Sequence, residues 1–151
     1  MRGSVTVHMA APPERIWALV SDVTSVGRFS PETFEAQWLD GAVGPAVGAR
    51  FRGHVRRNGR GPTYWTLCRV TACDPGREFG FDVLLNGSPV NTWHYRFTPS
   101  GSGTDVTESY ALADRPLTRI YGALLGRLRN RTNVRDMRET LQRIKAAVEP
   151  I

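Results

Sequence analysis

A chain of 151 residues, 40% hydrophobic and 23% charged, has room for one domain with a single core and is short for two. It has no run of about 18 apolar residues, so no membrane-spanning helix is expected, and MRGSVTVHMAAPPERIW turns polar too early for a signal peptide. The net charge of +6 is local: residues 1–114 hold 11 basic and 11 acidic groups and residues 115–151 hold 9 and 3, so the whole excess lies at the C-terminal end.

Taken in chain order, Ser4 to Met9 alternates with Val5, Val7 and Met9 on one side, a first strand. Ala11-Pro12-Pro13-Glu14 opens a short amphipathic helix carrying Ile16, Trp17, Leu19 and Val20, because proline in a first turn gives up only a donor the helix leaves unused. Ser21 and Asp22 can cap a second short helix that ends near Gly27. From there to Ala111 the signals are strand and turn. Strands are predicted over Phe34–Leu39, Arg50–Arg57, Tyr64–Cys73, Glu78–Leu85, Asn91–Thr98 and Thr104–Ala111. Turns at Asn58–Gly61, Asp74–Gly76, Asn86–Pro89 and Ser100–Gly103 join the last five, and a meander is the simplest topology. Cys68 and Cys73, five apart on one strand, fall on opposite faces by alternation, so no disulfide between them is expected. The three histidines are scattered, which leaves no zinc spacing; the chain reads as reduced, cytoplasmic, and without metal or cofactor.

Centring each turn sets a register. Phe97 meets Val106, Tyr95 meets Glu108 and Trp93 meets Tyr110; Phe79 meets Phe97, Phe81 meets Tyr95 and Val83 meets Trp93. Val70 then meets Phe81, Cys68 meets Val83, and Val55, Gly53 and Phe51 meet Tyr64, Thr66 and Cys68. The result is one continuous apolar and aromatic face, with His54, His94 and most arginines on the other. Trp65 and Leu67 fall on the polar side; either a bulge shifts their strand or they cover a partner surface.

The last segment is helical. Leu117, Ile120, Tyr121, Leu124, Leu125 and Leu128 share one face, and Val134, Met137, Leu141, Ile144 and Val148 share another that points the opposite way. One straight helix would bury a single stripe, and Asn130, Thr132 and Asn133 are poor helix formers, so a break or kink is expected between Arg129 and Asn133.

This order of elements, with the phrases APPERIWALVSDVTSVGRFSPE, VGARFRG, CRVTACDPGREFGF and GTDVTESY, resembles the START-like (SRPBCC) superfamily of polyketide cyclase/dehydrases and lipid-transfer proteins over essentially the whole chain. The resemblance implies an α+β helix-grip fold in a single domain, residues 1–151. A curved seven-stranded antiparallel sheet would wrap a long C-terminal helix, with two short helices after the first strand. It also implies a cleft between sheet and helix for a small hydrophobic or amphipathic ligand. The cleft walls would be Trp38, Phe51, Tyr64, Phe81, Trp93, Tyr95 and Tyr110, with Leu124 and Leu128 from the helix.

Glu108 stands out on the inward face opposite Tyr95. A buried carboxylate needs a partner or a raised pKa, so Glu108 reads as a ligand anchor or, as the one weak catalytic candidate, a general acid/base with Tyr95 or Tyr110 beside it. The plainer alternative is a structural carboxyl satisfied by a tyrosine or an arginine. Three functions follow: a carrier or sensor of a lipid, polyketide or isoprenoid-like ligand; an aromatase/cyclase-like enzyme in the same cavity; or an interaction module touching anionic surfaces through the basic helix. Nucleic acid is not an expected partner.

Overall fold

A computed structural model describes residues 1–57, 60–114 and 116–149 of the chain. The alternating Val5, Val7 and Met9 form β1, Arg2–Met9, and all three are buried. Pro12 leads into α1, Pro13–Ser21, with Pro13 in its first turn. Asp22 then caps a 3₁₀ helix, Val23–Arg28: its Oδ1 accepts from the Thr24 N–H at 3.1 Å.

The remaining strands are β2 (Thr33–Trp38), β3 (Arg50–Val55), β4 (Tyr64–Asp74), β5 (Glu78–Leu85), β6 (Ser88–Ser100) and β7 (Gly103–Leu112), followed by α2, Pro116–Val148. They make one seven-stranded antiparallel sheet in the order β1-β7-β6-β5-β4-β3-β2. The meander runs from β2 to β7, and the helical connection after β1 carries the chain to the far edge. α2 lies against β1, β7 and α1. This is the helix-grip arrangement, and its core joins Met9, Ile16, Val70, Phe79 and Val106 to Met137, Leu141 and Ile144.

The β6–β7, β4–β5 and β3–β4 registers match those set by the turns, including Tyr95 opposite Glu108 and Trp93 opposite Tyr110. Of the Asn58–Gly61 turn, Asn58 and Gly59 lie outside the described residues. The β5–β6 register differs by two: Phe79 meets Tyr95, Phe81 meets Trp93 and Val83 meets Asn91. The connection is the two-residue Asn86-Gly87 turn, with both φ angles positive (53° and 79°), rather than a four-residue one. At the turn, where Leu85 meets Ser88, the offset is three, and a register irregularity between Val83 and Leu84 brings it back to two. A slip of two keeps every side chain on its face, so the inward row of rings survives.

The cysteines differ from expectation. A bulge between Val70 and Ala72 shifts β4 by one residue, which brings Cys73 opposite Phe79 and packs it against the core, on the same side as buried Cys68. Both thiols are free.

Trp65 and Leu67 do lie outside, with no bulge between them. Trp65 stacks on His54 at 4.1 Å and 12°, with the Arg52 guanidinium 4.2 Å above its ring. His54, His94 and His8 each reach a carboxylate on the adjacent strand: Glu35, Glu78 and Asp105.

The expected break in α2 is absent; the helix is continuous through Asn130–Asn133. Two of the poor helix formers have a compensating hydrogen bond. The Tyr110 hydroxyl donates to Asn130, Thr132 bonds back to the Leu128 carbonyl at 3.2 Å, and Asn133 is buried beside the cavity described below. Continuity has a cost. The Met137–Val148 stripe takes the sheet, and Ile120, Leu124, Leu125 and Leu128 are left facing solvent. The side chains of Leu117 and Tyr121 lie outside the described part.

Candidate functional site

Between the inward face of the sheet, the 3₁₀ helix and the middle of α2 lies a cavity of about 240 Å³. The strands supply rings to it. Phe51 and Phe81 pack edge to face at 5.1 Å, Phe79 and Phe81 sit at 6.1 Å, and Trp93 leans on Tyr110 at 5.3 Å. Gly53, in mid-strand, lines the cavity without filling it; a Cβ there would stand 3.2 Å from Thr33 and 3.3 Å from Thr66.

Six of the residues expected at the site line this space: Phe51, Tyr64, Phe81, Trp93, Tyr95 and Glu108. Four do not. Trp38 packs its edge on Phe51 at 5.7 Å outside the lining, and Tyr110 is a buried prop between Trp93 and Asn130. Leu124 and Leu128, 76% and 70% exposed, are on the solvent side of α2, because the straight helix turns its other side inward. The Asp40–Gly48 loop contributes nothing to the lining.

The polar end of the cavity is built by β6, β7 and α2 together. Glu108 is 5% exposed and accepts from the Tyr95 hydroxyl at 2.9 Å through Oε2. Burial, with the charge of Asp136 adding to it and the Tyr95 bond opposing, pushes the Glu108 carboxyl up to about 8. Burial and the neighbouring Glu108 carboxylate likewise raise the Tyr95 hydroxyl well above its usual range. Near neutral pH both groups therefore hold their protons. Asp136 is also raised, by its own burial first and then by the Glu32 charge. Arg129 pairs with Glu32 at 2.9 Å, and both are largely buried. Cys68 lines the cavity, but burial pushes its thiol up to about 12, so it supplies no thiolate nucleophile.

The helix side of the site, Arg129, Asn133, Asp136, Met137, Thr140 and Ile144, was not anticipated. Met137 and Ile144 belong to the second apolar stripe, the one that the sheet covers, and periodicity did not distinguish that stripe from the first.

Comparison with known proteins places this geometry. Residues 2–149 match the family described as polyketide cyclase/dehydrase and lipid transport. No curated protein matches the chain in sequence. Among solved structures, a Thermus thermophilus protein is similar at a TM-score of 0.72 with 18% identity, covering 98% of this chain and 97% of that one. A polyketide-cyclase-like protein of Corynebacterium glutamicum is similar at 0.56 with 27% identity, covering 98% and 88%. The di-domain ARO/CYC BexL of the BE-7585A biosynthetic pathway is similar at 0.72 with 16% identity; the match covers 99% of this chain and 48% of that one.

Proposed function

Since this chain belongs to the polyketide cyclase/dehydrase and lipid transport family, we propose that it binds a small, largely apolar ligand in the cavity between sheet and α2. The observation that carries this reading is the row of rings that stops short of filling the interior and ends at the buried Glu108 carboxyl, held by the Tyr95 hydroxyl. Removing ligand surface from water contributes about 25 cal/mol per Å². The Glu108–Tyr95 pair supplies orientation, as a few convergent polar groups do in an apolar pocket. Nile red added to the purified protein is expected to bind with low-micromolar affinity and a blue-shifted emission. The Trp93→Ala variant, which alters the wall, should change both affinity and emission. A chain that releases no small molecule on denaturation and leaves Nile red unshifted does not use the cavity in this way.

A second reading, an aromatase/cyclase-like enzyme, is favoured by the raised Glu108 carboxyl. An acid that titrates at about 8 can donate a proton to a carbonyl oxygen and, as its conjugate base, take one from the carbon between two carbonyls. The donated and abstracted protons balance when a carbon–carbon bond closes within one poly-keto chain. Glu108→Gln is expected to abolish turnover of such a chain while its binding stays within about threefold. Undiminished turnover removes Glu108 from the chemistry.

A further inference from the structure

The cavity opens at one end of the sheet. Of its lining residues only Arg57 and Tyr64 are exposed, and they stand where β3 has ended and β4 begins. The registers gather the other chain reversals of that end: Val55 meets Tyr64, Leu85 meets Ser88, and Asn91 meets Leu112, just before α2. A Cβ on Gly126 would stand 3.5 Å from the Met1 sulfur, so the first half of α2 runs past the same end. Glu32 ties the two sides of the opening together. Its carbonyl accepts from the Arg56 N–H at 2.9 Å, and its carboxylate pairs with Arg129 at 2.9 Å.

Two properties coincide here. The first is charge. Residues 54–66, around the β3–β4 connection, hold three arginines, residues 116–135 hold five, and neither stretch has an acidic residue. Arg56, Arg57 and Arg60 on the one side and Arg127 and Arg131 on the other are exposed. The acids that flank these stretches, Glu32 and Asp114, are paired with Arg129 and Arg119. The second property is exposed apolar surface. Ile120, Leu124 and Leu128 form a row at four-residue spacing, and Arg127 and Arg131 stand three residues on from Leu124 and Leu128, on the same face. Leu85 is exposed at the end of β5. Among the described residues, Val43 and Val47, between β2 and β3, are the only exposed large apolar side chains at the opposite end.

We propose that this end docks on an anionic lipid surface, with the α2 row entering the boundary between headgroups and acyl chains and the arginines meeting the phosphates. An aliphatic row edged by long basic side chains is the composition of a helix that lies in such a boundary. The charge argues against a second copy of the chain, which would set one cluster of arginines against another. The aliphatic row argues against a nucleic acid, which is held through phosphates and stacked on rings. An acidic protein would satisfy the arginines, but it needs a groove shaped to side chains that protrude from separate elements; a fluid bilayer needs none. Docked in this way, the opening faces the membrane, and an apolar ligand passes between acyl chains and cavity without crossing bulk water. That consequence, and not the docking itself, rests on the ligand-binding reading above.

Co-sedimentation of the intact chain with vesicles tests the docking. Vesicles of two parts phosphatidylcholine to one of phosphatidylglycerol are expected to bind at least about tenfold more tightly than phosphatidylcholine alone, and less tightly as salt rises. The double variants Leu124→Ser/Leu128→Ser and Arg127→Gln/Arg131→Gln should each lose at least about tenfold. Arg60→Gln, on the hairpin and away from the helix, should lose about threefold, which keeps the test open should a helix variant fail to fold. Val43→Ser/Val47→Ser, at the far end, should bind as the parent does. Equal binding to the two vesicle types overturns the docking, as does parental binding by Leu124→Ser/Leu128→Ser or a matching loss in Val43→Ser/Val47→Ser. So does a chain that ignores both vesicles, whether it self-associates through the row or binds poly-glutamate instead. Nile red binding measured without vesicles is untouched by any of these outcomes, so the docking and the cavity reading fail separately.

Discussion

The two halves of α2 carry similar apolar residues and meet opposite fates. In the C-terminal half, Met137, Leu141, Ile144 and Val148 are sealed against the sheet. In the N-terminal half, Ile120, Leu124, Leu125 and Leu128 are more than half exposed. Neither composition nor periodicity separates them. The difference is one of phase: the stripes lie on opposite sides of the cylinder, the helix runs unbroken through Asn130–Asn133, and the sheet can cover one side only. A helical stripe records that a partner is wanted, and the continuity of the helix decides which stripe gets it.

The largest expected effect tests the covered half. Leu141 is 0% exposed in the middle of the core, so Leu141→Ala should destabilise the chain by about 2–5 kcal/mol, the transfer term plus an unfilled cavity. Urea denaturation measures it. A midpoint unchanged from the parent would mean that the C-terminal half of α2 does not carry the core, and the contrast between the halves would vanish.

The covered half also brings Asp136 to Glu108, and this sharpens the comparison through pH. The Glu108 carboxyl titrates at about 8 in the folded chain against 4.5 as its ordinary value. Below 4.5 the folded and unfolded forms both hold the proton. Between 4.5 and about 8 the unfolded form loses it and the folded form keeps it, so the stability contributed by the protonated carboxyl is lost as pH rises through that window, and it levels off above. Asp136, also raised, acts with the same sign. Thermal melts across the window should show a decline that is shallower in Glu108→Gln. Parallel profiles for the two proteins would show that Glu108 is not enclosed by α2.

How far these features were legible in the sequence follows from the same geometry. The sheet half of the site was legible because a strand offers two faces and the turns set the register. Even the two-residue slip at Asn86-Gly87 left Phe81, Trp93 and Tyr95 pointing inward. An odd slip is unforgiving: the bulge in β4 moved Cys73 to the face from which alternation had excluded it. No turn composition announced that bulge. The helix half of the site was not legible, because Leu124 and Met137 satisfy periodicity equally well. Asn130 pointed toward a break for as long as Tyr110, whose hydroxyl donates to it within the helix, was out of sight.

The smallest expected effect is the most direct probe of the uncovered half. Leu124 is 76% exposed, so in the isolated chain Leu124→Ser removes little buried surface and should change stability by no more than about 0.5 kcal/mol, part of it from helix propensity. Leu128→Ser, at 70% exposure, should behave alike. The same urea titration that reads Leu141→Ala reads both. A loss for Leu124→Ser approaching that of Leu141→Ala would mean that the first stripe is covered in the folded protein after all, by a bend of α2 onto the cavity or by another copy of the chain. Concentration dependence of the midpoint distinguishes the two: a bend within one chain is indifferent to dilution, whereas a cover supplied by a second copy is lost with it.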